Sequence, residues 1–548
     1  MKIIIPMSGF GERFKAAGYK IPKPLISVQN KPMIGHIVDM FSVIEDEFIF
    51  ICNEDHIKNN TFKMVETILK FCPNATILPI KSHKLGPVHA LMQAVDLISD
   101  NEELVVNYAD FTCFWSWDLF KKHVHKGNVD ASIVAYKGFH PHSLGKTNYA
   151  YMKIKNGYVY DIQEKQPYTN NRMEEYAASG TFYFKKGIDF KEALTYTIEN
   201  NLMVGGEYYL SLSFKYYFMT SKNVSVYPLQ HFMQWGTPED VFEYNYWSDL
   251  FNSLTLPKED VGPEIEGTKI VIAAGAGKRF SSYSKIPKPF IEVSGKPMMV
   301  QASDSLINFK NSHFSVLKED FPFSRNYEYN LANFIMIESL TKGQACSAKK
   351  SFEKVVHPEN SLVLFASCDN ALIYRRKDLN YVIDSMDFDV LVFGAKGYPS
   401  AIREPEQYGW IMANEDGEIN EILVKKPPKN TKRTSIVTGS FLFKNEKIFA
   451  DIIKEHLDSK ETVNNEYYLD SSINIAINRG YKCIVYNVDH FICWGTPNDL
   501  KTFEYWQSCF SKWQSHKYTL ENDSFFNLDK LAKYEERYAD FDDNPYGI

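Results

Sequence analysis

Short runs of β-branched residues that end in glycine-rich turns open two parts of this chain. The runs are KIIIPM at 2–7 and KIVIAA at 269–274, and continuous apolar runs of this length are typical of strands buried on both faces. Residues 86–98 have apolar positions at helical spacing and lead into the strand-like ELVVNYAD at 103–110. Because strands alternate with helices, the pattern predicts an α/β fold whose mostly parallel central sheet is flanked by helices. Ligands of such folds bind at the carboxyl ends of the strands.

The same pattern occurs twice along the chain. Residues 2–33, KIIIPMSGFGERFKAAGYKIPKPLISVQNKPM, correspond to residues 269–298, KIVIAAGAGKRFSSYSKIPKPFIEVSGKPM. Five further pairs of segments follow at a nearly constant offset: NYADF (107–111) and SCDNA (367–371), SIVAYKG (132–138) and LVFGAKG (391–397), SGTFYFK (179–185) and TGSFLFK (438–444), GEYYL (206–210) and NEYYL (465–469), WGTPED (235–240) and WGTPND (494–499). A period this long predicts one duplicated domain and excludes a solenoid.

The repeat sets the predicted domain boundaries. The first copy covers residues 1–254 and the second copy covers residues 268–512. Between them, residues 255–267 are polar and contain Pro and Gly, which is typical of a linker. Residues 513–548 have no counterpart in the first copy, and we expect this acidic, partly helix-compatible tail to serve in packing or assembly.

Composition narrows the classes of protein that fit. The chain has 548 residues, 44% of them hydrophobic and 24% charged, which excludes a largely disordered protein. A net charge of -7 argues against a nucleic-acid or anionic-membrane partner. No apolar stretch approaches the ~18 residues of a membrane span. Eight scattered cysteines without a C-x-x-C pair predict neither a disulfide framework nor a zinc site, so we expect a cytoplasmic protein.

A glycine loop follows the first strand of each copy, GFGERF at 9–14 and GAGKRF at 275–280. Glycines let backbone N–H groups approach phosphate oxygens, and an arginine adds a forked cation. Phe14 and Phe280 stand where a Rossmann fingerprint has its third glycine, and no G-K-[ST] follows. A single loop of this kind is usually a tight turn, but its recurrence with the same Arg-Phe favours phosphate binding. The predicted phosphate ligands are Gly9, Gly11 and Arg13 in the first copy, and Gly275, Gly277 and Arg279 in the second.

A lysine between two prolines and an aspartate after an apolar strand also recur. IPKP fixes the backbone around Lys23 and Lys288, and we interpret each lysine as a second phosphate ligand, the alternative being a rigid turn. Asp110 and Asp369 follow the strands VVNYAD and LFASCD. A carboxylate at that place suits Mg²⁺, which completes its octahedron with phosphates and water, although an aspartate can also simply close the turn. The sequence thus predicts one Mg²⁺ site in each copy, held by Asp110 in the first and by Asp369 in the second.

With these motifs in place, the chain resembles the sugar-phosphate nucleotidyltransferase family, in particular bacterial members with openings like IPMSGFGERFKAAGYKIPKPLI and endings like WGTPED. The resemblance covers both copies nearly end to end. It implies a Rossmann-like domain that joins a nucleoside triphosphate to a phosphorylated sugar or alcohol, with Mg²⁺ as cofactor and release of pyrophosphate. The residues it implies for the base and the acceptor are Gly86, Glu164, Lys165 and Glu207 in the first copy, and Gly343, Lys425 and Glu466 in the second.

Two departures from the family pattern affect the second copy most. Many relatives have a second metal-binding aspartate just before the final Gly-Thr, where this chain has Gln234-Trp235 and Cys493-Trp494. Asp489 is the candidate substitute in the second copy. The acceptor pair Glu164-Lys165 corresponds to Val424-Lys425, which predicts a different acceptor for the second copy or none.

The predicted function is therefore Mg²⁺-dependent nucleotidyl transfer to a sugar phosphate or phosphorylated alcohol. We favour a pyrimidine donor, CTP or UTP, and an acceptor destined for a bacterial surface polysaccharide such as a capsule. Two alternatives remain open: one copy, more readily the second, is a ligand-sensing or scaffold domain without turnover, or the protein is a glycosyltransferase that uses a finished nucleotide-sugar. Assembly into a homo-oligomer also stays open.

Overall fold

A computed structural model describes residues 1–146, 148–257, 264–326 and 333–539. Within it the chain divides into two compact units, Met1–Ser248 together with Ala539, and Asp249–Tyr538. The predicted linker, 255–267, lies partly outside the described residues, as does the end of the predicted tail. The exact boundaries of the predicted domains therefore stay a prediction.

Strands and short helices alternate along the first part of the chain. The strands are β1 (Lys2–Met7), β2 (Ser27–Val28), β3 (Lys31–Pro32), β4 (Glu47–Asn53), β5 (Thr76–Ile80), β6 (Leu104–Asn107), β7 (Phe111–Phe114), β8 (Ala131–Tyr136), β9 (Ala150–Lys155), β10 (Tyr158–Glu164), β11 (Tyr176–Phe184), β12 (Val224–Leu229) and β13 (His231–Gln234). The helices are α1 (Glu12–Ala16), α2 (Met33–Val38), α3 (Glu54–Lys58), α4 (Met64–Phe71), α5 (Pro87–Met92), α6 (Trp117–His125), α7 (Gly187–Glu199), α8 (Leu210–Met219) and α9 (Pro238–Leu254).

The second part of the chain has a closely similar succession of elements. The strands are β14 (Ile265–Ala273), β15 (Glu292–Val293), β16 (Lys296–Pro297), β17 (Phe309–Leu317), β18 (Phe334–Ile337), β19 (Leu362–Ser367), β20 (Asn370–Ile373), β21 (Val390–Ala395), β22 (Gly409–Ala413), β23 (Ile419–Val424), β24 (Ser435–Phe443), β25 (Cys483–Asn487) and β26 (His490–Cys493). The helices are α10 (Met298–Asp304), α11 (Gln344–Phe352), α12 (Arg376–Ser385), α13 (Pro399–Arg403), α14 (Glu446–Ser459), α15 (Leu469–Asn478), α16 (Pro497–Lys512) and α17 (Leu531–Tyr538).

The first unit is built on a nine-stranded sheet in the order β5-β4-β1-β6-β11-β8-β12-β10-β9. Strand β1 pairs in parallel with β4 and β6, with Lys2 opposite Glu47 and Leu104. The antiparallel strand β11 joins this parallel half to the parallel pair β8 and β12. Parallel neighbours place the carboxyl ends of β1, β4 and β6 along one edge, where ligands bind in open α/β sheets.

The second unit repeats this strand order. Its main sheet runs β18-β17-β14-β19-β24-β21-β25, with β22 pairing to β23 and β24. Strand β14 is parallel to β17 and β19, and the antiparallel strand β24 again lies between β19 and β21. The predicted α/β class with mostly parallel strands and flanking helices is confirmed.

The apolar runs read from the sequence are buried on both faces of the sheet. On β1, Ile4 packs into one hydrophobic cluster, whereas Ile3 and Ile5 pack into the cluster on the opposite face. Burial of such a side chain contributes roughly 1.5–3 kcal/mol, so an uninterrupted β-branched run is the stable choice for a strand covered on both sides. Within the described residues, no helix is long and apolar enough to cross a membrane.

Candidate active sites

A cavity of about 630 Å³ opens at the carboxyl ends of β1 and β6 in the first unit. Every site residue that the sequence predicts for the first copy lines it: Gly9, Gly11, Arg13, Lys23, Gly86, Asp110, Glu164, Lys165 and Glu207. The structure thus brings together the groups assigned to phosphates, to the metal and to the acceptor. Their individual roles stay predictions.

The glycine loop wraps around the proline-flanked lysine. Gly11 has φ +65°, and a methyl group there would lie 3.6 Å from Lys23 Cβ. Phe14 is buried, and its ring lies 5.6 Å from Lys23 Nζ, so the phenylalanine of the Arg-Phe pair anchors the loop while Arg13 lines the cavity. A glycine is required at position 11 because other residues rarely adopt this left-handed backbone.

The second unit has the same arrangement around Lys288. Gly277 has φ +55°, and a methyl group there would lie 3.2 Å from Lys288 Cβ. Lys288 Nζ lies 5.6 Å from the ring of the buried Phe280. The local fold of this loop is therefore the same in both units.

The lysine and the strand-end aspartate of each unit form an ion pair. Lys23 Nζ donates to Asp110 Oδ2 at 2.8 Å and reaches the Gly236 carbonyl oxygen at 3.4 Å. In the second unit Lys288 donates to Asp369 Oδ2. Sequence reasoning placed both residues near a triphosphate but did not pair them, because the two are far apart in the chain.

Gln234 lies beside the predicted metal ligand Asp110 in the first unit. A methyl group on Gly236 would lie 3.5 Å from Asp110 Oδ2 and 3.1 Å from Gln234 Nε2, so both side chains flank this glycine. Gln234 Nε2 donates to Asp240 Oδ2 at 2.7 Å, and Gln234 Oε1 is buried without a hydrogen-bond partner in the described part of the chain. A carboxylate and an unpaired amide oxygen are hard donors of the kind that Mg²⁺ prefers.

The corresponding place in the second unit has different chemistry. Cys493 takes the position of Gln234, and its sulfur accepts a hydrogen bond from the Gly495 N–H at 3.3 Å. Burial raises the pKa of the Cys493 thiol, so the sulfur keeps its proton. Of the two side chains that flank Gly495, only Asp369 supplies an oxygen for a hard cation.

Asp489 does not replace the missing second carboxylate. It is exposed and directly precedes β26, whose first residue His490 pairs with Ile373. Asp369 adjoins the opposite end of this pairing, where Asn370 faces Cys493. The suggestion that Asp489 could substitute is wrong, because the register places the two carboxylates at opposite ends of the β20–β26 ribbon.

Gly86 and Gly343 are required by close backbone contact. Gly86 has φ +85°, and a methyl group there would lie 2.8 Å from the backbone N and O of Tyr208. At Gly343, with φ +124°, the methyl group would lie 2.6 Å from the same atoms of Tyr467. The backbone of each EYYL segment therefore packs directly against the glycine that precedes α5 or α11. This contact leaves no room for a side chain, which explains why both glycines recur.

The acceptor side of the first cavity contains a buried carboxylate. Glu164 ends β10 and accepts a hydrogen bond from Ser211 Oγ at 2.6 Å. Burial raises the pKa of Glu164 to about 7, because the charged form is poorly solvated there. Ser211 was missed by sequence reasoning, since nothing in the repeat marks a serine as a partner of a glutamate 47 positions away.

The lysine after this carboxylate has a left-handed backbone in both units. Lys165 has φ +58° and Lys425 has φ +57°, a conformation that costs a non-glycine residue about 1 kcal/mol or more. Lys165 Nζ lies 4.4 Å from the ring of Tyr209 and donates to its hydroxyl, which in turn donates to Glu207. Lys165 lines the cavity of the first unit.

The second unit brings its acceptor-side residues together in a similar way. Lys425 lies over the ring of Tyr468 at 5.6 Å, and Tyr468 hydrogen-bonds Glu466. The positive charge of Arg279 lowers the pKa of both Lys425 and Tyr468, in each case by less than burial changes it. Sequence reasoning missed Asp470, which occupies the position of Ser211 and whose pKa burial raises to about 6.

In the described part of the chain, no cluster of three or more His, Cys, Asp or Glu side chains is arranged to hold a metal ion. Mg²⁺ needs few protein ligands, because phosphate and water oxygens complete its coordination. The roles of Asp110 and Asp369 as metal ligands stay predictions.

Comparison with known proteins relates both units to one family. The family model described as "Nucleotidyl transferase" matches residues 2–250 and again residues 268–506. Among curated proteins, the chain is similar to the bifunctional protein GlmU of Campylobacter curvus (strain 525.92), with 27% identity over 234 residues, 40% of this chain and 48% of that protein. GlmU of Bacillus cereus (strain AH187) is 27% identical over 226 residues, 40% of this chain and 47% of that protein.

The chain spans about half the length of these curated relatives. Among solved structures, a nucleoside-diphosphate-sugar pyrophosphorylase from Vibrio cholerae RC9 matches 44% of this chain and 99% of its own, with a TM-score of 0.37 and 17% identity. A likeness this distant carries no argument about function.

Proposed function

The chain belongs to the nucleotidyl transferase family, and on that premise we propose that it transfers a nucleotidyl group from a nucleoside triphosphate to a sugar phosphate or related phosphorylated alcohol. The observation that carries the proposal is the cavity of the first unit, which collects the glycine loop, the Lys23–Asp110 pair and the Glu164–Lys165 pair around one space. The two ends of this cavity have the chemistry expected for a triphosphate and for a hydroxyl-bearing acceptor.

The reaction needs no general base from the protein. An acceptor phosphate monoester is largely ionised at neutral pH, because its second pKa is ~6. One of its oxygens forms a bond to the α-phosphorus of the triphosphate, and the bond from that phosphorus to the pyrophosphate leaving group breaks. Arg13 and Lys23 neutralise the charge that develops, so this chain contributes positioning and electrostatic stabilisation.

Asp110 and Gln234 would hold Mg²⁺ in the first unit, and Asp369 would do so in the second. The ion supplies charge neutralisation at the phosphates when bound. Lys23 is within reach of the same phosphates, because its ammonium group lies against Asp110. The protein's own part at this end is to keep a cation and a carboxylate at fixed positions on the rigid end of the sheet.

The finer assignments rest on the motifs. We propose that the two units arose by tandem duplication, supported by the recurring segments and the common strand order. We propose CTP or UTP as donor and an acceptor destined for surface polysaccharide, following the resemblance of the opening and closing motifs to bacterial family members. The free state of all eight cysteines supports a cytoplasmic location.

A second candidate function applies to the second unit alone. Val424 and Cys493 replace Glu164 and Gln234, which removes an acceptor-side carboxylate and a hard metal ligand. These replacements favour a unit that binds nucleotide for sensing or scaffolding without turnover.

The test is release of pyrophosphate by the full chain. The five common nucleoside triphosphates would be combined with a panel of sugar 1-phosphates and alditol phosphates in the presence of Mg²⁺. We expect pyrophosphate only when a triphosphate and an acceptor are both present. A nucleotide-sugar alone contains no pyrophosphate leaving group, so a glycosyltransferase would release none. Sugar transfer from a nucleotide-sugar, combined with no pyrophosphate from any triphosphate–acceptor pair, would refute the proposal in favour of a glycosyltransferase.

A further inference from the structure

Three residues around the acceptor side differ together between the two units. The first unit has Ala150, Glu164 and Ser211, and the second has Gly409, Val424 and Asp470 at the corresponding places. The correspondence follows from backbone pairing: Ala150 lies opposite Glu164 at the end of the β9–β10 ladder, and Gly409 lies opposite Val424 at the end of the β22–β23 ladder.

The third position is fixed by the helix that covers these ladders. Ser211 is the second residue of α8 and Asp470 is the second residue of α15. Each helix follows an EYYL segment that forms the same backbone hydrogen bonds to the helix-opening glycine region, from Tyr208 to Leu85 and from Tyr467 to Lys342, both at 2.9 Å. The two side chains therefore start from equivalent points above the strands.

The acceptor-side carboxylate is carried by different secondary-structure elements in the two units. In the first unit it is on the strand, where Glu164 accepts from Ser211 on the helix. In the second unit the strand position is the apolar Val424, and the carboxylate is on the helix at Asp470.

Gly409 provides the space that this exchange requires. A methyl group on Gly409 would collide with Asp470 Oδ2 and would lie 3.3 Å from its Cγ. The Asp470 carboxylate thus occupies the volume over the strand that a side chain like that of Ala150 would fill. The absence of the methyl group at Gly409, the absence of a carboxylate on the strand and the presence of one on the helix are therefore sterically coupled differences between the units.

In both units the positive charge of a lysine acts on the carboxyl group, although the lysines donate their hydrogen bonds elsewhere, Lys165 to Tyr209 and Lys425 to the Gln407 carbonyl oxygen. Burial raises the pKa of Glu164 and of Asp470, and the charge of Lys165 or Lys425 lowers it by a smaller amount. The second unit therefore keeps an acid and a lysine on its acceptor side in spite of Val424.

We propose that Asp470 is the acceptor-binding carboxylate of the second unit, so that this unit has its own acceptor site for a hydroxyl-bearing phosphate monoester different from that of the first. This inference rests on the proposed function. A carboxylate that approaches from the helix instead of the strand meets a different hydroxyl of the bound molecule, and sites built to bind a hydroxyl discriminate strongly against partners that lack it. Asp470 is thereby a specificity-determining residue, and Gly409 positions it.

The experiment uses the full chain with Asp110→Asn, so that turnover reports on the second unit. Acceptor probes are sugar 1-phosphates, alditol phosphates and methyl phosphate, which has no alcohol hydroxyl group. We expect Asp470→Asn to raise KM for the preferred hydroxyl-bearing acceptor by at least about tenfold, with the KM for nucleotide and the slow turnover of methyl phosphate unchanged. Asp458→Asn on the exposed end of α14 is the matched surface control.

A second variant tests the coupled change itself. Gly409→Ala/Val424→Glu/Asp470→Ser, made in the Asp110→Asn chain, gives the second unit the residue set of the first. We expect its acceptor preference to shift toward that of the first unit, which is measured separately in the Asp369→Asn chain. Thermal unfolding verifies that each variant is folded, and if the triple variant is not, the Asp470→Asn result decides alone.

Different outcomes would refute the role of Asp470 and the proposed function. Unchanged acceptor KM in Asp470→Asn, unchanged preference in a folded triple variant, or nucleotide binding without turnover of any acceptor would each overturn the role of Asp470 while leaving transfer by the first unit intact. Absence of pyrophosphate release from the wild-type chain with every pair of substrates would instead refute the proposed function.

Discussion

Lys23 Nζ lies 2.8 Å from Asp110 Oδ2, joining the loop after β1 to the turn after β6 across 87 positions of sequence. Lys288 and Asp369 form the same pair in the second unit. In each pair the lysine and the aspartate neutralise each other's charge at the edge of the sheet. A magnesium triphosphate can replace both contacts at once, the phosphates binding the lysine and the metal binding the aspartate, so neither charge is left unpaired.

Loss of the Lys23 ammonium group is expected to weaken triphosphate binding. Lys23→Met keeps the aliphatic stem beside Phe14 but removes the charge, and we expect the nucleotide KM to rise by roughly tenfold or more. Because partly exposed ion pairs contribute only about 0–1 kcal/mol, the melting temperature should change little. Steady-state kinetics and thermal unfolding give the two values, with Lys20→Met, an exposed lysine of the same loop, as the control. A nucleotide KM equal to that of the control variant would show that Lys23 only shapes the turn.

The matched substitutions Asp110→Asn and Asp369→Asn should divide the total activity of the chain. Each removes the carboxylate proposed to hold Mg²⁺ in one unit, and we expect turnover by that unit to fall by about 10²-fold or more, the usual cost of losing one preorganised electrostatic group. With substrates for each unit in hand, pyrophosphate release measures both contributions in the full chain. Asp118→Asn, an exposed aspartate on α6, should leave both unchanged. Full activity of both units in the double variant would refute the metal assignment.

The stability of the protein should depend on pH through Glu164. The unfolded chain releases this proton near pH 4.5, whereas burial raises the pKa in the folded protein to about 7. Between these pH values the folded state binds more protons, so the free energy of unfolding falls as pH rises through the window and levels off above about pH 7. Glu164→Gln lacks this ionisation, so its stability relative to wild type should increase from pH 5 to pH 7.

Urea unfolding at half-unit pH intervals measures this difference. Glu174→Gln, which changes an exposed carboxylate of the same unit, should track the wild-type curve throughout. If Glu164→Gln also ran parallel to wild type between pH 5 and pH 7, Glu164 would titrate as an ordinary exposed glutamate, and its burial in the folded protein would need another explanation.

Sequence alone predicted the parts of the site that depend on local chain geometry. The Gly-x-Gly loop, the proline-flanked Lys23 and the strand-end Asp110 are each defined by neighbours within a few residues, and each recurs in the second half of the chain. Repetition therefore separated them from incidental turns. The α/β class followed for the same reason, since periodicity is a local property of the sequence.

The features that sequence missed depend on register between distant segments. Asp470 acts where Glu164 would, but only the pairing of Gly409 with Val424 and the placement of α15 over that ladder bring it there. Asp489 failed as a metal ligand because the β20–β26 register puts it at the wrong end of the ribbon. A comparison of GEYYLS with NEYYLD contained the signal for Asp470, but not the contact that gives it meaning.

Gly9 and Gly86 both line the first cavity, but alanine should affect nucleotide binding at Gly9 and stability at Gly86. A methyl group on Gly9 has no atom within 4 Å, so Gly9→Ala should leave the free energy of unfolding unchanged while raising the nucleotide KM, because the methyl group projects into space that the phosphates need. At Gly86 the backbone has φ +85° and the methyl group would lie 2.8 Å from backbone atoms of Tyr208, so Gly86→Ala should cost about 1–3 kcal/mol of stability. Urea unfolding and nucleotide titration of both variants separate the two effects.

Gly205→Ala is the control for backbone strain alone, since Gly205 has φ +60° and open space around it. A Gly86→Ala protein as stable as Gly205→Ala would mean that Tyr208 moves aside readily, and a Gly9→Ala protein with normal nucleotide affinity would remove the first glycine from the phosphate site.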